Sequence, residues 1–418
     1  MTQLAPATAR GTVWRAARLA LGTASALGLA RFAYGLVLPA MGDDLHWSLA
    51  EAGAMSTANG LGYLLGALVT AAVVRRWGTT AAFRTGMAVT AVSLAATAAS
   101  ADYAVLLLCR ALAGVAGAVV FVTGGVIASR LAARAASAVP VSVYFAGAGL
   151  GIVVSGVAIP VLGTHWRLAW VGLAVAGAMA TAGSWTAAGT NEDPQPAPGA
   201  SESTRAAVGT SEDPQATAGA VEGRRVAAAG RARVRPLWRP ALAYLLFATG
   251  YITYITFLSA YLADRRAPLW QVVLTWTVLG LAVVAAPAVW GRPAASWPGT
   301  RLLATLLAVL AGGAALALVA PAPPVILASA LVYGATFMGV PAAITALIKS
   351  VVPSERWTTT LATFTTVFAA GQTAGPWISG AVADRTSTAA TLAWTAILCA
   401  AAAVVVIPAG RREPSPAG

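Results

Sequence analysis

The chain has 418 residues, 58% of them hydrophobic and 10% charged, and its 27 basic residues outnumber 14 acids for a formal net charge of +13. A water-soluble domain of this composition would expose too much apolar surface, and two cysteines, Cys109 and Cys399, exclude a disulfide framework and leave zinc or thiol chemistry without ligands. The basic surplus alone would suit nucleic acid, but these residues lie between apolar stretches, the arrangement of a membrane protein that binds no nucleic acid.

An apolar bilayer core of about 30 Å takes about 20 helical residues to cross. Six stretches of that length come first, at residues 17–40, 49–74, 81–100, 104–128, 139–162 and 166–188. The first runs past Arg31 to Ala40, which is spanning length rather than that of a cleaved leader. A polar segment rich in Ala, Pro, Glu and Arg follows from about 190 to 235, then six more apolar stretches at 240–262, 269–290, 301–320, 323–348, 358–383 and 388–407. The expected fold is an all-α integral membrane protein of twelve transmembrane helices. They form two pseudo-symmetric six-helix bundles, 1–188 and 239–410, joined by a flexible linker, 189–238, and followed by a tail, 411–418. This is the plan of a solute transporter.

Every second loop is basic. One side collects 21 basic residues and the other four, Arg167, Arg265, Arg266 and Arg385, with Arg31 and Arg110 inside the membrane. The excess marks the cytoplasmic side, so both termini and the linker are expected in the cytoplasm and the chain in a bacterial plasma membrane. The linker repeats GTNEDPQPAPGASESTR as GTSEDPQATAGAVEGRR at a spacing of 20 residues. Its proline, glycine and charge preclude a packed core, so it reads as a tether lengthened by duplication. Its basic end, residues 224–239, suits anionic lipid headgroups.

The two apolar halves match each other at an offset of 220 residues, which places Tyr34 on Tyr254, Gly60 on Gly280, Trp77 on Trp297, Gly114 on Gly334 and Gly151 on Gly371. Repeats related by an axis along the membrane normal are a transporter architecture.

The stretch LLLCRALAGVAGA, with Arg110, Gly114 and Gly117, resembles the buried-arginine motif of the major facilitator superfamily, and Gly371, Gly375, Pro376 and Gly380 resemble its Gly-Pro packing motif. GLARFAYGLVLPAM in the first span and STANGLGYLLGAL in the second are similar, more particularly, to the YbfB/YjiJ-type transporters. The resemblance covers both halves but not the linker. It implies a secondary carrier of a small-molecule substrate working by alternating access, with a central cavity lined by helices one, four, seven and ten. The chain departs from the family in the loop AAVVRRWGTTAAFR, where Arg75 replaces an aspartate and Thr79 and Thr80 replace a basic pair. Gly147, Gly156, Pro160 and Gly163 on the fifth span match an antiporter-type pattern in part, which points to export, although Ile159 and Pro160 do not supply its Gly-Pro step.

Intramembrane charges mark function by default. Arg31 and Arg110 fall at similar depth, and their fork-like guanidinium groups suit a carboxylate or phosphate shared between them. The competing use is structural, with each satisfied by backbone carbonyls or the Asn59 amide. Tyr244, Tyr251 and Tyr254 share one face of the seventh helix, and Ser329, Tyr333 and Thr336 one face of the tenth, placed either to line a cavity or to bind helices together. The candidate substrate-binding set is Arg31, Tyr34, Asn59, Arg110, Tyr251, Tyr254, Tyr333 and Gln372.

All 14 acids fall in loops, tails or helix ends, so no midplane carboxylate is available to balance an organic cation or relay a proton. No nucleotide-binding motif and no catalytic cluster occurs, so neither an enzyme nor a cofactor is expected. The expected partners are a small-molecule substrate, membrane lipid and a coupling proton or ion, with the carrier a monomer. The alternative is a membrane sensor that kept a transporter body and lost transport, which the altered loop between helices two and three permits.

Overall fold

The computed structural model describes residues 9–189, 237–353 and 356–407, and every regular element among them is helical. The expected linker, but for its end residues, and the tail lie outside the described residues. The first span runs from Arg10 to Leu45, longer than expected at both ends. Its start is held by two polar anchors on the sixth span: Arg15 Nε donates to Ala187 O at 2.9 Å and Arg18 Nε to Gly183 O at 2.8 Å.

The second and third spans form one helical run, Leu49–Ala99, interrupted only at Gly78, whose φ of 80° and ψ of 161° suit glycine alone. The chain reverses there. Residues before the break run alongside the fourth span, where Asn59 Nδ2 donates to Arg110 O at 3.1 Å, and those after it run antiparallel to the sixth, through Thr80 to Ala188 O and Arg167 to Ala98 O. The loop expected near residues 75–80 is therefore a one-residue break.

The fourth span is Tyr103–Arg134, the fifth Val139–Ala158 with a short turn Pro160–Leu162, and the sixth Trp166–Ala188. The seventh is Trp238–Asp264, the eighth Leu269–Ser296 and the ninth Gly299–Val319. The tenth is Pro323–Phe337 continued by Gly339–Val351, the eleventh Trp357–Ala383 and the twelfth Ala389–Val406. Ten described helices have both the length and the hydropathy to cross a bilayer. The run Leu49–Ala99 crosses twice, and the Thr-rich eleventh helix adds 27 residues, which brings the crossings to twelve. Outward leucines and valines such as Leu68, Val92, Val175 and Val404 stay exposed in the protein itself, as lipid-facing side chains do.

Small residues let the helices approach, as membrane packing requires, and they do so in the same way in both halves. A Cβ on Gly114 would strike Asn59 O, and one on Gly334 would strike Leu279 O, the same contact displaced by 220 residues. Gly151 rests on Gly28 as Gly371 rests on Ala248, and Gly60 meets Thr373 as Gly280 meets Val153. The first and seventh spans cross where Gly35 lies against Ile255 O, and Ile255 is the offset partner of Gly35 itself. A pseudo-two-fold axis therefore passes through this crossing.

Among the described residues the contacts between the halves gather toward one end. There Gly53 meets Pro376, Gly380 meets Leu49, Gly156 meets Trp276, and Ser56 Oγ lies 3.0 Å from Thr256 Oγ1. The Asp384 carboxylate spans the junction, accepting from Leu49 N at 2.7 Å and Ala50 N at 3.0 Å at the start of the second span. Toward the opposite, linker-side end, Phe121, Gly125, Ser129, Arg130 and Phe145 border an open recess of about 530 Å³. Thr359, Thr363 and Thr366 on the eleventh span are exposed at that end too.

Candidate substrate-binding site

Arg31 occupies the last turn of an unusual segment. Residues Ala24–Phe32 are wound as a π-helix, with Ala33 N donating to Gly28 O at 2.9 Å, before ordinary α-helix resumes at Tyr34. Such widened turns are rare and frequent at functional sites. The segment packs against the fifth span through the Gly28–Gly151 approach and directs the Arg31 side chain across the axis into the second half. Arg31 Nη2 donates to Gln372 Oε1 at 2.6 Å and to Tyr251 Oη at 3.2 Å, and Tyr251 Oη donates to the same Gln372 oxygen at 3.2 Å. Tyr251 is the offset partner of Arg31, so the axis brings the two equivalent positions face to face. The Tyr63 ring lies 5.2 Å from Arg31 Cζ and supplies a cation–π contact.

Among the described residues every partner of Arg31 is neutral. The carboxylates of Asp44, Glu51, Asp102, Asp264 and Asp384 sit at the closed end and are used there as caps or helix ties. Gln372 is fully buried, and its Nε2 has no partner among the described residues, although its Oε1 accepts twice. A buried guanidinium without a counter-charge and an adjacent unpaired amide donor are together suited to an acceptor-rich or anionic group.

Arg110 is employed differently. Its Nη1 donates to Ala30 O at 2.5 Å, where π-helical winding gives way to α, and its guanidinium lies 4.9 Å from the Tyr34 ring and 5.4 Å from the Trp170 ring. Tyr34 Oη donates to Ala52 O at 2.7 Å, and Asn59 holds the Arg110 backbone. These contacts all lie within the first half. Among the described residues Arg110 Nε and Nη2 have no hydrogen-bond partner, and the guanidinium lies within this aromatic cage.

Tyr254 and Tyr333 form a third group. Their rings stack with centroids 3.9 Å apart, Tyr254 Oη lies 2.7 Å from Ser329 Oγ, and Tyr333 Oη donates to Tyr251 O. Both are fully buried and tie the seventh span to the tenth. The eight sequence candidates thus divide into a hub at the axis (Arg31, Tyr251, Gln372), a clamp in the first half (Arg110, Tyr34, Asn59) and a helix tie in the second (Tyr254, Tyr333). Tyr63, Trp170, Phe364 and Phe368 escaped the sequence reading. For the last two the available signal was their spacing of four residues on one helix face.

This fold and a polar hub at the interface of two repeated bundles define a secondary transporter. The Major Facilitator Superfamily profile matches residues 20–356, and the chain belongs to that family. It is a transporter embedded in the membrane, of a family whose substrates are small molecules. Among solved structures it is similar to a point mutant of the nucleoside transporter NupG, with a TM-score of 0.69 at 13% identity over 94% of this chain and 98% of that one. It is also similar to NupG itself, with a TM-score of 0.62 at 14% identity over 93% and 97%. No curated protein matches the chain by sequence.

Proposed function

We propose that the chain carries a small organic solute with one anionic or strongly accepting group across the bacterial plasma membrane by alternating access, and that Arg31 is the anchor for that group. The observation that carries this reading is the Arg31 guanidinium, 7% exposed, at the junction of the halves with only neutral partners beside the free Gln372 Nε2. A charge at this depth is costly unless function retains it. The basic residues at the linker-side end support a cytoplasmic position for both termini and the linker, and on that reading the conformation is open to the cytoplasm. Export, driven by a coupling proton or ion, is the direction to which the fifth-span pattern points, and the carrier acts as a monomer of the YbfB/YjiJ type.

The test is a thermal-shift screen of the purified chain against monoanionic and neutral metabolites, nucleosides among them because of the structural similarity to NupG, since a ligand of the folded state raises stability. Arg31→Gln should abolish the shift from anionic ligands, and Arg31→Lys, which keeps charge but loses the fork, should weaken it. Unchanged ligand shifts in both variants would place the site elsewhere.

A further inference from the structure

Arg31 accounts for one end of a ligand, and the approach to it is aromatic on both sides. In the second half, Tyr244, Phe247 and Tyr251 follow each other at helical spacing and stack on Phe368 with centroids 5.0, 6.2 and 5.5 Å away and planes inclined by 24°, 27° and 25°. Phe364, one turn nearer the open end, extends the row to Tyr244 at 6.2 Å. In the first half, Tyr63 beside the Arg31 guanidinium leads to Phe121 at 6.2 Å and on to Phe145 at 5.2 Å, both on the wall of the open recess. Tyr63, Phe121, Phe145 and Phe368 are only half-buried, so theirs are the rings within reach of an incoming molecule.

Resting on the reading of Arg31 as the anchor, we propose that the ligand class is a flat aryl monocarboxylate, with its carboxylate on Arg31 and Gln372 Nε2 and its ring against Phe368 and Tyr63. One guanidinium with neutral neighbours balances the single charge of a carboxylate, whereas a phosphate dianion would bring a second charge with no partner; Arg110 is held behind Tyr34 by Ala30 O. The Phe368 ring lies within 24–27° of the planes of Tyr244, Phe247 and Tyr251, and a ring so arranged takes a further flat ring by offset stacking. A sugar-bearing ligand would bring several hydroxyls to a hub where, among the described residues, Arg31, Tyr251 and Gln372 Oε1 are already bonded to one another and Gln372 Nε2 is the one unpaired group, and each hydroxyl left unpaired there is costly.

The experiment measures binding of benzoate, cyclohexanecarboxylate and uridine to the full chain in lipid nanodiscs by calorimetry. The two acids share charge and approximate size and differ in flatness. Benzoate should bind about tenfold more tightly, since each aromatic pair is worth about two- to twelvefold in Kd. Phe368→Leu and, independently, Tyr63→Leu should shrink that preference, lowering benzoate affinity by more than cyclohexanecarboxylate affinity. Either variant alone suffices should the other fail to fold by thermal melting. Equal affinity for the two acids, still lost in Arg31→Gln, would overturn the aryl proposal and leave the anchor standing. Acid binding that survives Arg31→Gln, binding of uridine alone, or binding of none of the three would overturn both.

Discussion

The two halves of the molecule share a backbone plan and differ in what they place on it. Gly114 meets Asn59 O and Gly334 meets Leu279 O in the same way, because helices that lack a hydrophobic drive toward each other in lipid need bare backbone contacts to pack. Apart from Tyr34 and Tyr254, the correspondence fails at the polar positions of the hub and clamp. Arg31 has Tyr251 as its counterpart, Arg110 has Ala330, Trp170 has Ala390, and Gln372 has Ile152. The first half carries the charge, the second an aromatic wall and a single amide, and they meet at the axis. The packing contacts keep the repeat while the polar groups at the axis do not, and an asymmetric hub suits an asymmetric solute held in one orientation.

The comparison breaks most severely at the shared packing. Gly114→Val and Gly334→Val each force a side chain into a facing carbonyl, and each should destabilise by about 3 kcal/mol or more, the upper end of overpacking costs. Equal losses in thermal melts would confirm that the two contacts are equivalent, and tolerance of either substitution would show that the halves pack differently. Arg31→Tyr next makes the hub symmetric, with tyrosine at both offset positions. The protein should fold with undiminished stability, since a lone buried charge is removed, and should lose about 1.5–3 kcal/mol of anionic-ligand binding, the worth of hydrogen bonds to a charged group. Retained binding in calorimetry would separate the ligand from the axis.

Arg110→Met probes the clamp that only the first half possesses. It leaves the Ala30 carbonyl without its donor, so stability should fall by about 1–3 kcal/mol, and ligand affinity should weaken through the displaced Arg31. Binding lost with melting unchanged would instead put Arg110 in contact with the ligand. The smallest effect belongs to Asp384→Asn, which weakens a charged cap on the second span by about 0.5–1 kcal/mol. Its consequence is conformational: a cysteine at position 56 or 256 should become more reactive toward thiol reagents as the closed end loosens, and unchanged labelling would show that Asp384 does not hold the halves together.

Much of this was legible in the residues. Span lengths follow from hydropathy, because lipid allows few solutions other than a closed helix, and the 220-residue offset is present in the text of the sequence because glycine alone allows such close approach. The buried arginines were visible for the same reason, since charge inside an apolar run stands out. Their division of labour was not. Arg31 and Arg110 are the same residue type at similar depth, and nothing in their spacing tells that one points across the axis to Gln372, 341 positions away, while the other grips a carbonyl of its own half. The π-helical segment Ala24–Phe32 was equally hidden, because ALGLARF has unremarkable helical propensity and the widened winding occurs together with the fit of Gly28 on Gly151 and the bond from Arg110 to Ala30 O.

By itself the sequence determined twelve crossings, two repeated halves, the sidedness of charge and the confinement of every acid to loops, tails and helix ends, all properties that depend on local composition and helical period. Tertiary structure alone decided which arginine faces the second half, that Tyr251 and Gln372 complete its surroundings, that Tyr254 and Tyr333 tie the seventh span to the tenth, and that Tyr63 lies over the Arg31 guanidinium while Phe368 stacks on Tyr251. Those outcomes depend on the direction of side chains across helix crossings, and that direction is set by which small residues let two backbones touch and at what angle they then pass.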